Sequence, residues 1–193
     1  MKYLHKIFQL GLMIALMSCA VTKDYERAVS TNSITAYENY LTEFPNSKYR
    51  IDVNSRLQKL YDEQAWKLAI SSNTIYGFKN YLTKYPDGKH VVDARKNIEK
   101  IERQNEIDNA WNRAKKENSI EGYQAFINLH PSSSNVYDAK SKIRNLQEEN
   151  AWELAKDYNS IDSYSEYLKK YPGGKYSSTA NSKIEKIREE KII

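Results

Sequence analysis

The sequence is poor in cysteine and in long apolar runs, and each shortage excludes a class of structure. Cys19 is the single cysteine among 193 residues, so the chain cannot form an internal disulfide. The apolar run at residues 7–17 is interrupted by Gln9 and covers eleven residues, whereas a membrane-spanning helix needs about twenty. Without disulfides or a spanning helix, the folded part has to be stable through its hydrophobic core.

The chain also lacks blocks of like charge and the local patterns of catalysis. Its net charge is +5, with lysine and arginine interleaved among glutamate and aspartate, which is typical of a solvated helical surface. We find no metal-ligand spacing, nucleophile elbow or phosphate-binding loop. We therefore expect neither an enzyme nor a nucleic-acid-binding protein, and no metal or other cofactor.

The first residues have the three zones of a signal peptide. Basic residues precede the apolar run, and small Ser18 precedes Cys19. The end of this segment, Leu16 to Cys19, resembles the bacterial lipobox. That resemblance implies removal of residues 1–18, acylation of Cys19 with chains such as palmitate, and a lipid-anchored location in the cell envelope. Ala20 resembles the sorting choice for the outer membrane, facing the periplasm. The alternative is an ordinary signal peptide followed by a chance cysteine.

Behind Cys19 the chain repeats one motif four times. The repeats span about 23–64, 65–109, 110–150 and 151–193, and their prolines lie 41, 45 and 41 residues apart. In each repeat an aromatic-x-x-Ala block precedes an isoleucine by nine residues, and a third apolar block follows the proline. The aromatic residues of the first block are Tyr25, Trp66, Trp111 and Trp152.

The spacing predicts a short helix, a tight turn and a long helix in every repeat. Apolar residues recur at helical intervals from each isoleucine to the residue before the proline, where a helix has to stop. Ser33, Thr74, Ser119 and Ser160 are predicted N-caps. The long helices should cover about twenty-five residues, near 37 Å. The four extra residues between Ile101 and Trp111 amount to about one helical turn, so they should lengthen that helix without disrupting it.

The predicted fold class is all-α, with helical hairpins stacked into a solenoid of four repeats. The run from Tyr164 to Ala180 resembles tetratricopeptide-type repeats, as found in outer-membrane assembly lipoproteins and Tol-associated periplasmic proteins. The first helix is expected at Lys23 or Asp24, which leaves a tether of about four residues, at most about 15 Å long, behind Cys19.

Two functions remain open at this stage. The first is a non-enzymatic scaffold that binds another envelope protein or peptide, with the turn lysines Lys48, Lys89 and Lys175 as a possible ladder for an acidic partner. The second is a glycan-binding lipoprotein, for which Tyr61, Tyr76 and Tyr158 are surface candidates because they lie outside the repeat register. His90 and His130 occupy aromatic positions of the repeat, so we interpret them as packing residues.

Overall fold

The structure is a computed structural model that describes residues 20–190, and this part of the chain is entirely helical. The predicted signal peptide and Cys19 lie outside the described residues. The helices within that range are α1 (20–31), α2 (Ile34–Glu43), α3 (Arg50–Ser72), α4 (Ile75–Lys84), α5 (Val91–Glu117), α6 (Ile120–Leu129), α7 (Val136–Tyr158), α8 (Ile161–Lys170) and α9 (Ser177–Glu190).

The four short helices α2, α4, α6 and α8 have ten residues each and begin at the predicted caps. In each, the cap hydroxyl accepts a hydrogen bond from the backbone N–H three residues later, which satisfies one of the donors that a helix start leaves unpaired. The helix ends one residue before the aromatic or histidine that precedes the proline. The predicted short helices and their caps are therefore confirmed.

Each long helix before a short one ends in a left-handed asparagine. Asn32, Asn73, Asn118 and Asn159 have φ between 42° and 45°, a conformation that asparagine tolerates better than most residues. In three repeats the asparagine side chain also accepts a hydrogen bond from a buried tyrosine, for example from the Tyr164 hydroxyl to Asn159 at 2.9 Å. The second repeat has Phe78 at this position and makes no such bond.

Within residues 20–190, four separate clusters form the core, one for each repeat. Each cluster joins the alanine of the first block, the inward aromatics of the short helix and the apolar residues of the following helix. The fully buried side chains with the largest volume are Tyr37, Tyr123, Tyr164, Phe78, Phe126 and Val53. Burial of such aromatic rings, at about 25 cal/mol for each Å² of apolar surface, is the main stabilising contribution.

The long helices confirm the interpretation of the four-residue insertion. Helices α3 and α7 have 23 residues, whereas α5, which contains the insertion, has 27. The chain divides into two compact units, Met1–Glu102 and Arg103–Ile193, and the division falls inside α5. In the described residues, the first two clusters belong to one unit and the last two to the other.

The N-terminal end of the described range corrects one expectation. The helix already includes residues 20–22, which were expected to belong to the tether before Lys23. The reason is packing: Val21 and Thr22 are half-buried, and the Thr22 hydroxyl lies 3.5 Å from the Tyr49 hydroxyl. Across residues 20–190, no helix combines the length and apolarity needed to cross a membrane.

Candidate functional site

The aromatic residue of the first block is covered by a second ring in three of the four repeats. Tyr49 stacks on Tyr25 at 4.0 Å between ring centroids, and the two planes differ by 6°. His90 stacks on Trp66 at 4.7 Å and 7°, and Tyr176 on Trp152 at 4.9 Å and 9°. The covering residue always lies four positions after the proline, so the turn that follows each short helix places it.

The turns of the second and fourth repeats, here called the even repeats, are organised by a carboxylate from the preceding long helix. In the fourth repeat a Glu148 oxygen accepts hydrogen bonds from the Tyr167 hydroxyl at 2.7 Å and from the Lys175 N–H at 2.6 Å. In the second repeat Asp62 accepts the equivalent bonds on its two oxygens, from the Tyr81 hydroxyl on Oδ1 and from the Lys89 N–H on Oδ2. We call Asp62 and Glu148 the turn carboxylates.

The first and third repeats, the odd repeats, use a serine of the turn itself. Ser47 Oγ accepts from the Tyr40 hydroxyl at 2.7 Å and from the Tyr49 N–H at 3.1 Å. Ser133 accepts from the Asn135 N–H at 3.2 Å. The position of the turn carboxylate is aliphatic in these repeats, occupied by Val21 and Ile107.

Glycine stands at the serine position of the even repeats, and the close approach of the carboxylate explains it. A Cβ at Gly88 would lie 2.5 Å from the Tyr81 hydroxyl and 2.8 Å from Asp62, and a Cβ at Gly174 would meet Tyr167 and Glu148 in the same way. Neither glycine has a positive φ. Space, and not backbone conformation, therefore requires glycine at these two positions.

Burial shifts the titration of the two tyrosines that donate to the turn carboxylates. Desolvation, and next the hydrogen bond to Asp62, raises the pKa of Tyr81 to about 12. Burial and Glu148 raise the pKa of Tyr167 to about 12 in the same manner. Both hydroxyls therefore stay protonated donors at neutral pH.

The predicted lysine positions differ in their surroundings. Lys89 Nζ forms an ion pair with Glu63 at 2.6 Å, and Lys175 Nζ lies 3.5 Å from Glu149. Lys48 Nζ lies over the Tyr49 ring, 4.9 Å from its centroid. An acidic partner would have to displace a carboxylate at Lys89 and Lys175. Lys48 and Lys89 belong to the first compact unit and Lys175 to the second.

Two equivalent apolar grooves occur in the even repeats, between the end of a long helix and the next short helix. The groove of the second repeat has a volume of about 290 Å³ and that of the fourth about 220 Å³. The exposed leucines Leu68 and Leu154 form equivalent walls, with 67% and 57% of their surfaces accessible. Lys84 and Lys170 line the same end of each groove.

The structure separates the three tyrosines that the sequence suggested as surface residues. Tyr76 and Tyr158 are 81% and 71% exposed, and each lines one of the even-repeat grooves. Tyr61 packs against the first cluster, and its hydroxyl donates to Glu38, so it is not a free surface ring. Tyr61 is half-buried, so its ring is less accessible than the rings of Tyr76 and Tyr158.

The histidines occupy the aromatic positions predicted for them. His90 stacks on Trp66, and His130 lies 5.5 Å from Phe126 at the end of α6. Sequence reasoning missed the grooves and the alternation between turn carboxylate and turn serine. The sequence contains a signal for the alternation. In the even repeats an acidic residue four positions before the tryptophan occurs together with glycine two positions after the proline. In the odd repeats an aliphatic residue and a serine occupy these two positions.

Within residues 20–190 no group of three or more potential metal ligands comes together. Compared with known proteins, the chain matches no protein-family model and no curated protein.

Proposed function

We propose that the chain is the precursor of a lipid-anchored protein of the bacterial cell envelope, and that it acts as a non-enzymatic scaffold binding another envelope protein. Its four repeats would stack into a tetratricopeptide-like solenoid. The observation that carries this proposal is the pair of exposed apolar grooves at equivalent positions of the even repeats. Exposed apolar surface with polar surroundings is typical of protein-binding sites.

The odd repeats supply an internal contrast. Their residues at the position of Leu68 and Leu154 are Arg27 and Arg113. Arg27 is mostly exposed and forms an ion pair with Asp24 at 2.8 Å. The same helix pair therefore accepts either leucine or arginine at this position, so packing alone does not require the exposed leucines of the even repeats.

This contrast provides a test that does not disturb the fold. We expect affinity capture from detergent-solubilised envelopes, followed by mass spectrometry, to recover a stoichiometric protein with the unaltered chain. The double variant Leu68→Arg and Leu154→Arg should lose that protein while keeping its helical circular dichroism. Arg27→Leu is the matched control and should not reduce capture.

Glycan binding is the alternative, supported by the exposed rings of Tyr76 and Tyr158. The tryptophan faces give it less support, because Trp66 and Trp152 are already covered by internal stacking. Recovery of peptidoglycan or polysaccharide without a stoichiometric protein would contradict the scaffold function and favour this alternative.

The anchor is tested separately. A Cys19→Ala variant expressed in the native host should no longer incorporate labelled palmitate and should leave the membrane fraction. Membrane association that persists in this variant without acylation would show that the lipid anchor is not what holds the protein there.

A further inference from the structure

The third repeat lacks the ring that covers the first-block aromatic elsewhere. The covering residues of the other repeats are Tyr49, His90 and Tyr176, whereas the equivalent residue here is Asn135. Trp111 packs against Tyr123 and Phe126 at 5.7 and 5.1 Å, as its counterparts pack against their own short helices. Its partly exposed indole is thus held in the same manner, but without the stacked ring.

The backbone at Asn135 matches the backbone that carries a ring in the first repeat. Tyr49 has φ −91° and ψ −1°, and Asn135 has φ −78° and ψ −4°. Both N–H groups donate to the serine two residues earlier, at 3.1 and 3.2 Å. The turn is therefore built in the same way, and what changes is the side chain.

A carboxylate accompanies the stacked ring in both even repeats. The Tyr176 hydroxyl donates to Glu149 at 2.5 Å, and His90 Nε2 lies 3.2 Å from Glu63. Each of these acids lies three residues before its tryptophan, one turn away on the same helix face. The third repeat retains the acid as exposed Asp108, whose side chain accepts a hydrogen bond from the exposed Gln104 amide at 2.9 Å.

We propose that the Trp111 face binds a tyrosine side chain of the partner protein, which completes in trans the stack that the other repeats make internally. The partner ring would lie on the indole, and its hydroxyl would donate to Asp108 as Tyr176 donates to Glu149. The chain itself shows three times that a ring with a polar edge fits this position. Stacked aromatic pairs attract each other beyond the burial of their surface.

Lys115 is the charged side chain that lies over the Trp111 ring. Its Nζ lies 5.6 Å from the centroid of the Trp111 ring. A lysine side chain is flexible and exposed here, so a stacking ring can displace it at small cost. A lysine also lies over the covering ring in the first and fourth repeats, where Lys48 Nζ is 4.9 Å from the Tyr49 centroid and Lys175 Nζ is 4.8 Å from the Tyr176 centroid.

The site rests on the proposed scaffold function but is tested without the partner. In ¹⁵N-labelled full chain carrying Cys19→Ala, each of the three tryptophans gives one indole N–H resonance. N-acetyl-tyrosine amide, titrated to its solubility limit, should shift the Trp111 resonance, identified by its loss in Trp111→Phe. The resonances of Trp66 and Trp152 serve as internal controls and should not move.

Three comparisons make the assignment specific. Asn135→Tyr should move the Trp111 resonance in the free protein and abolish its response to the amide, and Asn135→His, which copies the second repeat, serves if the first variant folds poorly. Asp108→Ala should weaken the tyrosine amide about fivefold, the effect of one hydrogen bond near 1 kcal/mol. N-acetyl-phenylalanine amide should bind the unaltered protein as weakly as the tyrosine amide binds Asp108→Ala.

Three results would overturn the inference. The Trp111 resonance could fail to shift with the tyrosine amide, both Asn135 variants could respond to the amide as the unaltered chain does, or methyl glucoside could shift the resonance more than the amide. The last result would identify a sugar platform instead. Envelope capture that depends on Leu68 and Leu154 would still support the scaffold function in each of these cases, so the two proposals fail separately.

Discussion

The exchange between turn carboxylate and turn serine predicts a strong coupling between Glu148 and Gly174. Glu148→Val places in the fourth repeat the residue that the first repeat has at this position, Val21. The Tyr167 hydroxyl, whose residue is only 2% exposed, then loses its acceptor, and so does the Lys175 N–H. Loss of a charged acceptor for one buried and one exposed donor should cost about 2–4 kcal/mol of unfolding free energy.

Gly174→Ser alone should also destabilise the protein, for the opposite reason. The new Cβ would lie 2.8 Å from the Tyr167 hydroxyl and closer still to Glu148, so one of these side chains has to move. Such overpacking costs about 1–3 kcal/mol. The double variant, however, recreates the pair found in the first repeat, where Ser47 Oγ accepts from the Tyr40 hydroxyl and the Tyr49 N–H. The buried Tyr167 hydroxyl therefore regains an acceptor, and only the exposed Lys175 N–H is left to water. It should lie within about 1 kcal/mol of the unaltered chain.

Urea denaturation followed by circular dichroism at all four corners of this double-mutant cycle measures the coupling. We expect the two single losses to cancel almost completely, which gives a coupling energy of at least about 2 kcal/mol. Asp62→Val with Gly88→Ser is the equivalent cycle in the second repeat. If the double variant is as unstable as the sum of the two singles, the serine does not replace the carboxylate and the reasoning is wrong.

Three further predictions concern titration and helix ends. Because the pKa of Tyr81 and of Tyr167 is raised to about 12 from an ordinary 10, their stabilisation is complete below pH 10 and lost as the pH rises to 12. Tyr81→Phe should therefore flatten the decline in melting temperature over that window, and an unchanged slope would contradict the assignment. The hydrogen bond from the Tyr176 hydroxyl, and next the positive charge of Lys175, lower the pKa of Glu149. Ionised Glu149 therefore adds to the free energy of unfolding above the ordinary carboxyl pKa of about 4.3, and this addition is lost as the pH falls through the lowered pKa of the folded state. Glu149→Gln should reduce the dependence of the unfolding free energy on pH in this acid range. Asn159→Gly removes the acceptor of the buried Tyr164 hydroxyl and should lower the free energy of unfolding by about 1–3 kcal/mol. Asn73 has no such donor, so Asn73→Gly should be nearly neutral in thermal melts. Equal losses of stability in the two variants would show that the left-handed backbone alone matters.

Much of the local structure could be predicted because it depends on neighbouring residues. The N-caps at Ser33 and Thr74, the helix ends before each proline and the extra turn in α5 all follow from hydrogen bonds or steric clashes within a few residues. Helical spacing also identified the buried faces, because the apolar residues of one repeat fill one cluster. Asn159 and its equivalents were missed, although an asparagine precedes every N-cap in the sequence.

The sequence by itself therefore determined the helices, their caps and the side chains of the four cores. It did not determine which side chains meet across the turns. Glu148 and Lys175 are 27 residues apart, and their hydrogen bond exists only because α7 packs against the turn that follows α8. The same tertiary packing covers Trp66 with His90, and it packs Tyr61 partly against the first cluster. Such contacts depend on the position of one helix against another, which the spacing of apolar residues along the chain does not define.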